Sequence, residues 1–263
     1  MRTFGLIGFP LTHSFSQKYF ADKFLTEKIA YAEYLNFSIE KIEDVSQLFE
    51  TENLCGLNVT IPYKEAIIPF LDELDSSASG VGAVNTVVLR KGKKIGYNTD
   101  VYGFEKSLLE NNPTKTQSSQ SNDSLSGLSA LVGNNPKALI LGTGGSSKAV
   151  AFVLNKLGID FQFVSRSKKE YGLTYADLKP KTILEHKLII NTTPLGMFPE
   201  ITAAPDIPYS FITSEHLFFD LIYNPAETEF LKRGKQQGAQ IKNGLEMLQL
   251  QAEKSWLIWN EAK

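Results

Sequence analysis

Ala138-Leu139-Ile140-Leu141 runs straight into Gly142-Thr143-Gly144-Gly145, and this junction limits the possible folds more than any other part of the chain. Four apolar residues bounded by turn residues read as a buried strand. The glycines permit a tight reversal, and the stretch from Ser146 to Leu157 predicts a helix that stops at Gly158, a residue suited to a left-handed cap. Phe161 to Val164 supplies the next strand at the distance a βαβ unit requires. The pattern departs from G-x-G-x-x-G at the third position, where Ser147 is still small. Strand, glycine turn, helix and strand in this order direct helix amides and their dipole at a pyrophosphate. This is a dinucleotide-binding turn, with Gly142, Gly144 and Gly145 as its backbone contacts.

The second strand leads into Ser165-Arg166-Ser167-Lys168-Lys169, with no acid for a ribose 2′-hydroxyl. A guanidinium flanked by hydroxyls and an ammonium suits a 2′-phosphate, which a carboxylate would repel. Ser165, Arg166, Ser167 and Lys169 therefore predict NADP rather than NAD.

The chain has 263 residues, 42% of them hydrophobic, enough for one large or two ordinary domains. With 27 basic and 29 acidic residues its formal charge is −2, which gives no broad attraction to nucleic acid or to an anionic membrane. Cys55 is the only cysteine, in keeping with a reducing compartment, and the first apolar run, broken at Phe9-Pro10, is too short for a signal peptide or a span. The expectation is a cytoplasmic protein, monomer or homodimer. The histidines at 13, 186 and 216 show no ligand spacing, so no metal is expected.

Ahead of the nucleotide half, strands are predicted at Phe4–Gly8, Ala32–Phe37, Leu54–Thr60 and Val84–Leu89, with helical stretches after Ser14 and near Ile39–Phe49. This alternation argues for a second layered α/β domain with a largely parallel sheet. Asp100 to Glu110 reads as a helix leading out of it. From 113 to 136, six serines among Asn, Gln and Gly read as a flexible surface insertion. Later strands are expected at Leu188–Asn191 and Leu217–Tyr223, and a last amphipathic helix at Leu245–Trp259 carries Trp256 and Trp259 on its buried face.

The first domain carries polar motifs where its strands end: Asn58-Val59-Thr60-Ile61-Pro62-Tyr63-Lys64, Gly82-Ala83-Val84-Asn85-Thr86 and Asn98-Thr99-Asp100. A lysine facing a carboxylate can pass a proton to and from a hydroxyl, which suits alcohol–ketone chemistry. Gly8-Phe9-Pro10-Leu11-Thr12-His13-Ser14-Phe15-Ser16 sets two hydroxyls at alternate positions, for a ligand or for a helix cap.

These segments, with Asn191-Thr192-Thr193-Pro194-Leu195-Gly196-Met197 and Gly244-x-x-Met247-Leu248-x-x-Gln251-Ala252, resemble the shikimate dehydrogenase family over nearly the whole chain. The resemblance implies a substrate-binding α/β domain (1–101 with 242–263), a Rossmann-type NADP-binding domain (102–241) and a cleft between them. It implies NADPH-dependent reduction of 3-dehydroshikimate to shikimate, on the route to aromatic amino acids. Lys64 and Asp100 match the family's catalytic pair. Ser14 and Ser16 fall at the substrate carboxylate, and Thr60, Asn85, Gln251 and Tyr223 around the ring. Asn191, Thr192, Met197 and the backbone at Gly244 fall on the nicotinamide side. Gln17 stands where the family often has proline, Ser165 where it often has asparagine, and Glu246 where a small or apolar residue is common. Rival readings are a quinate/shikimate dehydrogenase of broader specificity and a non-catalytic NADP-binding regulator, the latter disfavoured because Lys64, Asn85 and Asp100 are all present.

Overall fold

The computed structural model describes residues 1–11, 14–110, 128, 135–168 and 172–261. Lys169, His13 and nearly all of the serine-rich stretch 113–136 lie outside the described residues. The chain divides into two compact units, 1–100 with 251–263, and 101–250.

The first unit is built on a six-stranded sheet in the order β2-β1-β3-β5-β6-β4. Its strands are β1 (Arg2–Gly8), β2 (Ala32–Ser38), β3 (Leu54–Val59), β4 (Glu73–Leu74), β5 (Thr86–Arg90) and β6 (Lys93–Tyr97). Strand β1 pairs in parallel with β2 and β3, and β4 with β6, whereas β5 is antiparallel to both neighbours. The local cause is the two-residue turn Lys91-Gly92, with φ of 50° and 76°, between paired Arg90 and Lys93. Positive φ at both central positions is what a tight hairpin needs, and glycine carries the second without strain. The sequence pattern showed β5 but not its hairpin partner.

Alternation along these strands sends side chains to opposite faces. Ile7, Leu57, Val59 and Val87 join a core with Ile67 and Val84, while Phe4, Leu6 and Val88 join another with Phe20, Tyr34 and Trp259. Its helices are α1 (Phe15–Thr26), α2 (Val45–Leu48) and α3 (Ser76–Val81); α4 (Thr99–Leu109) begins here and continues in the second unit, and α8 (Leu245–Asn260), late in the chain, begins in the second unit and ends in this one. Where the sequence predicts one helix near 39–49, the chain forms a 3-10 turn at Ile42–Asp44 followed by the single turn of α2.

The second unit has an all-parallel sheet in the order β12-β11-β10-β7-β8-β9. The strands are β7 (Ala138–Leu141), β8 (Phe161–Ser165), β9 (Leu173–Thr174), β10 (Leu188–Asn191), β11 (Leu217–Asp220) and β12 (Gln240–Lys242). Helices α5 (Gly145–Lys156), α6 (Pro180–Glu185) and α7 (Glu229–Gln236) alternate with them. Counted within the unit, the strand order is 3-2-1-4-5-6, that of a doubly wound dinucleotide fold. The order reverses between β7 and β10, and ligands of such sheets bind beyond the strands' carboxyl ends at that reversal. Leu139, Leu141, Ile189, Phe218, Phe230 and Leu231 form a buried core of this unit.

Candidate active site

In the first unit, β3 and β6 end at the same sheet edge at which antiparallel β5 begins. That topology gathers Thr60, Asn85 and Asn98-Thr99-Asp100 from three motifs. Lys64 lies four residues beyond Thr60, and its carbonyl accepts from the Val84 backbone N–H at 2.7 Å. The Lys64 ammonium reaches Asp100 Oδ2 at 2.6 Å, both side chains being largely buried. Asn85 Nδ2 donates to Asp100 Oδ1 at 2.9 Å. Asn85 Oδ1 in turn accepts from the Thr99 backbone N–H at 2.7 Å. A carboxylate can only accept and a backbone N–H can only donate, so this pair of neighbours fixes which way the Asn85 amide points. Asp100 sits in the first turn of α4, where the helix dipole favours negative charge.

Gln251, on α8, accepts from Thr99 Oγ1 at 3.3 Å and lies beside Asn85. Thr60 is half-buried at the same edge. Ser14 caps α1, its Oγ accepting from the Gln17 backbone N–H at 3.2 Å. A proline at 17 would have no hydrogen to give, so glutamine here closes the cap. Ser16 lies within hydrogen-bonding reach of Tyr34, whose hydroxyl donates to Asn58 Oδ1 at 2.8 Å. Burial drives the Tyr34 phenol far above its ordinary range, so it remains a neutral donor.

In the second unit the glycine turn follows β7. Gly142 has φ of +109°, and a Cβ there would stand 2.7 Å from Thr192 Oγ1, so only glycine fits between the ends of β7 and β10. A Cβ on Gly144 would meet nothing within 4 Å, and the N-terminus of α5 has no side-chain cap. Open backbone amides at a helix start are a cradle for phosphate oxygens. Ser147 donates to the Gly144 carbonyl at 2.6 Å and is buried, so it tightens the turn from within. Beyond β8, Arg166, Ser167 and Lys168 are exposed, and Ser165 Oγ donates to the Ser167 carbonyl at 2.6 Å. An uncapped helix start beside an exposed guanidinium fits a dinucleotide with an extra phosphate.

Asn191 is fully buried, its Nδ2 donating to Asp220 Oδ1 at 3.0 Å and its Oδ1 accepting from the Thr193 N–H and hydroxyl. Its side chain braces β10 against β11. Thr192 Oγ1 donates to the Leu141 carbonyl at 2.7 Å, and Met197 is 49% exposed. Gly244 is buried, and a Cβ on it would fall 2.1 Å from the Leu221 carbonyl oxygen, which explains the glycine by backbone packing. Glu246 pairs with Lys242 at 2.5 Å and accepts from Ser107 Oγ at 2.9 Å. Tyr223, just past β11, is half-buried, and burial raises its phenol pKa.

Asp220 escaped sequence reasoning, because one acid closing an apolar strand gives no pattern. It is fully buried, with Thr228 Oγ1 at 2.5 Å on Oδ2 and the Ile222 N–H at 3.0 Å on Oδ1. Burial still outweighs these donors and pushes its carboxyl from 3.8 up to about 6. A carboxyl pKa raised by folding means the native state binds the proton more tightly. The linked stability is full below about pH 4 and is lost as pH rises through about 6, a difference of roughly 3 kcal/mol. Asp220→Asn should remove that slope. Melting temperatures of parent and variant should therefore diverge in the variant's favour across this window; parallel curves would show that Asp220 does not titrate there. Among the described residues no group of three His, Cys, Asp or Glu is placed to hold a metal ion, and no helix is long and apolar enough to cross a membrane.

A dinucleotide-type sheet joined in one chain to a buried lysine–carboxylate pair defines a nicotinamide-dependent dehydrogenase acting on an alcohol or ketone. A family model described as the shikimate dehydrogenase substrate binding domain matches residues 6–87. The NADP-dependent shikimate dehydrogenase of Methanococcus vannielii is 37% identical over 281 residues, covering 98% of this chain and 91% of its own. The crystal structure of shikimate dehydrogenase 1 from Peptoclostridium difficile superposes with a TM-score of 0.80 at 35% identity, covering 100% of this chain and 93% of that one. The Thermus thermophilus enzyme, solved with NADP(H) and shikimate, gives a TM-score of 0.80 at 26% identity, with 100% and 94% covered. The chain belongs to the shikimate dehydrogenase family.

Proposed function

We propose that this protein catalyses the reversible NADPH-dependent reduction of 3-dehydroshikimate to shikimate. The observation that carries the reading is the Lys64–Asp100 pair at 2.6 Å, held by Asn85, in a chain whose other unit has the glycine turn and basic loop of an NADP site. In this reading residues 1–101 with 242–263 handle the substrate and 102–241 the cofactor. Bound NADPH supplies the hydride. As negative charge grows on the substrate's ketone oxygen, the Lys64 ammonium stabilises it and delivers a proton. Asp100 orients the ammonium and accepts a hydrogen bond from the neighbouring substrate hydroxyl. Thr60, Asn85, Gln251 and Tyr223 hold ring hydroxyls, and the Ser14 and Ser16 hydroxyls hold the carboxylate. Gly142, Gly144 and Gly145 receive the pyrophosphate, and Ser165, Arg166, Ser167 and Lys169 receive the 2′-phosphate. Asn191, Thr192, Met197 and the backbone at Gly244 flank the nicotinamide. A cytoplasmic location belongs to the same reading, supported by the single cysteine.

The test is the loss of NADPH absorbance on adding 3-dehydroshikimate, beside the reverse reaction with shikimate and with quinate. No turnover of any of these would end the proposal, and equal turnover of quinate would convert it to the broader enzyme. Arg166→Leu should raise the KM for NADPH by roughly 10- to 100-fold, the loss of one charge-assisted phosphate contact, and leave that for NADH nearly unchanged. Equal effects on both cofactors would remove Arg166 from the 2′-phosphate.

A further inference from the structure

Within the second unit, the buried carboxylate of Asp220 stands where three segments meet at the carboxyl ends of β10 and β11. Its Oδ1 accepts from Asn191 Nδ2 and from the Ile222 N–H, each at 3.0 Å, and its Oδ2 accepts from the Thr228 hydroxyl. An ionised carboxyl offers acceptors alone, so it takes all three donors at once. Each donor leads to the nicotinamide side of the proposed cofactor site. Asn191 Oδ1 accepts from the Thr193 N–H at 3.0 Å and the Thr193 hydroxyl at 2.7 Å. Thr193 Oγ1 in turn accepts from the Leu195 N–H at 3.3 Å, so the bonds run outward along the turn that carries Met197. The Ile222 carbonyl accepts from the Gly244 N–H at 3.0 Å. Thr228 caps α7 and lies against Gly196, where a Cβ would fall 3.3 Å from Thr228 Cβ.

We propose that Asp220 is a positioning residue for the cofactor: through Asn191, Ile222 and Thr228 it holds the Asn191–Met197 turn and the Ile222–Gly244 backbone contact in one arrangement, the wall against which the nicotinamide is oriented. Among the described residues Asp220 is the one acceptor for Asn191 Nδ2, and Asn191 is 0% exposed, so water cannot take its place. A buried N–H left unpaired costs more than an ordinary hydrogen bond contributes. Without the carboxylate the Asn191 amide therefore turns to find another acceptor. Turning takes Oδ1 away from Thr193, and the turn loses its shape. Among the described residues Asp220 makes no bond to the loop after β8, so the adenosine end is left as it was. The proposal rests on the NADP reading for what the wall receives.

The experiment compares the full-length parent with Asp220→Ala, Asp220→Asn and Thr193→Val, each checked for folding by thermal melting. Calorimetry measures the binding of NADP+ and of 2′,5′-ADP, which carries the adenosine end without the nicotinamide. In Asp220→Ala the Kd for NADP+ should rise about tenfold, the equivalent of one neutral hydrogen bond, while that for 2′,5′-ADP stays within about twofold. Asp220→Asn should bind both like the parent, because its Oδ1 still accepts from Asn191 and Ile222 while its amide turns to Thr228. Thr193→Val cuts the chain of bonds one link further out and should also weaken NADP+ alone. Should Asp220→Ala not fold, Asp220→Asn and Thr193→Val decide by the same criteria. In the free protein, the Thr193 backbone N–H should exchange faster with solvent in Asp220→Ala, as followed by NMR. Unchanged NADP+ binding, equal losses for both ligands, or Asp220→Asn as impaired as Asp220→Ala would overturn the positioning role alone. A parent that binds neither ligand would end the NADP reading and this proposal with it.

Discussion

Replacing Lys64 with alanine is expected to lower kcat by about 10²–10⁴-fold, the usual contribution of a placed proton donor, while substrate still binds. The ammonium is held at 2.6 Å from Asp100 by a backbone anchored through the Val84 N–H, so it is already oriented before any ligand arrives. Its interaction with the ketone oxygen strengthens as charge develops there. Removing it therefore costs transition-state stabilisation more than ground-state binding. The deletion also leaves the Asp100 carboxylate with fewer donors in a largely buried place, so some loss of stability accompanies the loss of rate. Thermal melting separates the two effects, because a folded but inactive variant isolates the chemical role. Steady-state kinetics with saturating NADPH check the prediction. Turnover within a few-fold of the parent would show that another group delivers the proton.

Trp259→Ala should destabilise the protein by about 3–5 kcal/mol, as expected for truncating a large buried aromatic. Trp259 is 7% exposed, stacks on Phe4 with ring centroids 4.9 Å apart, and donates its indole N–H to the Val87 carbonyl at 2.9 Å. Removing the ring leaves a void and takes away the indole donor to the Val87 carbonyl. Gly56 lies directly beneath it: a Cβ there would fall 2.2 Å from the indole nitrogen. This strand position is glycine because the indole occupies the room a side chain would take. Gly56→Ala should accordingly destabilise by overpacking, in the range of about 1–3 kcal/mol. Urea titrations of parent and variants give both values. A Trp259→Ala midpoint close to the parent's would mean that the last helix docks mainly through other residues.

Much of this is legible in the sequence. Strand β7, the glycine turn and α5 carry period and punctuation in a short window, so local pattern sufficed. The contents of Asn-Val-Thr-x-Pro-x-Lys, Gly-Ala-Val-Asn-Thr and Asn-Thr-Asp pointed to one site because they could be matched as a set. What stayed hidden depends on long-range packing. Strand β6, Lys-Lys-Ile-Gly-Tyr, has too little apolar alternation to be read without its partner β5. That the Asn191 side chain also braces two strands is visible only once Asp220 on the adjoining strand stands beside it. Ser255 looks like any helix serine until Asn58, Thr86 and Thr99 are brought to it from well over a hundred residues away.

The first unit owes one face of its sheet to residues that come after the whole of the second. Phe4, Phe20 and Tyr34 are covered by Trp259, Ile258 and Ala252. Residues 1–100 made alone would therefore emerge with a bare aromatic wall, sticky and poorly soluble. Supplying a synthetic peptide spanning Leu245–Asn260 in trans is the natural way to rescue such a fragment. Split-protein reconstitution at this seam would turn the helix into an on-switch for whatever activity the sheet edge supports.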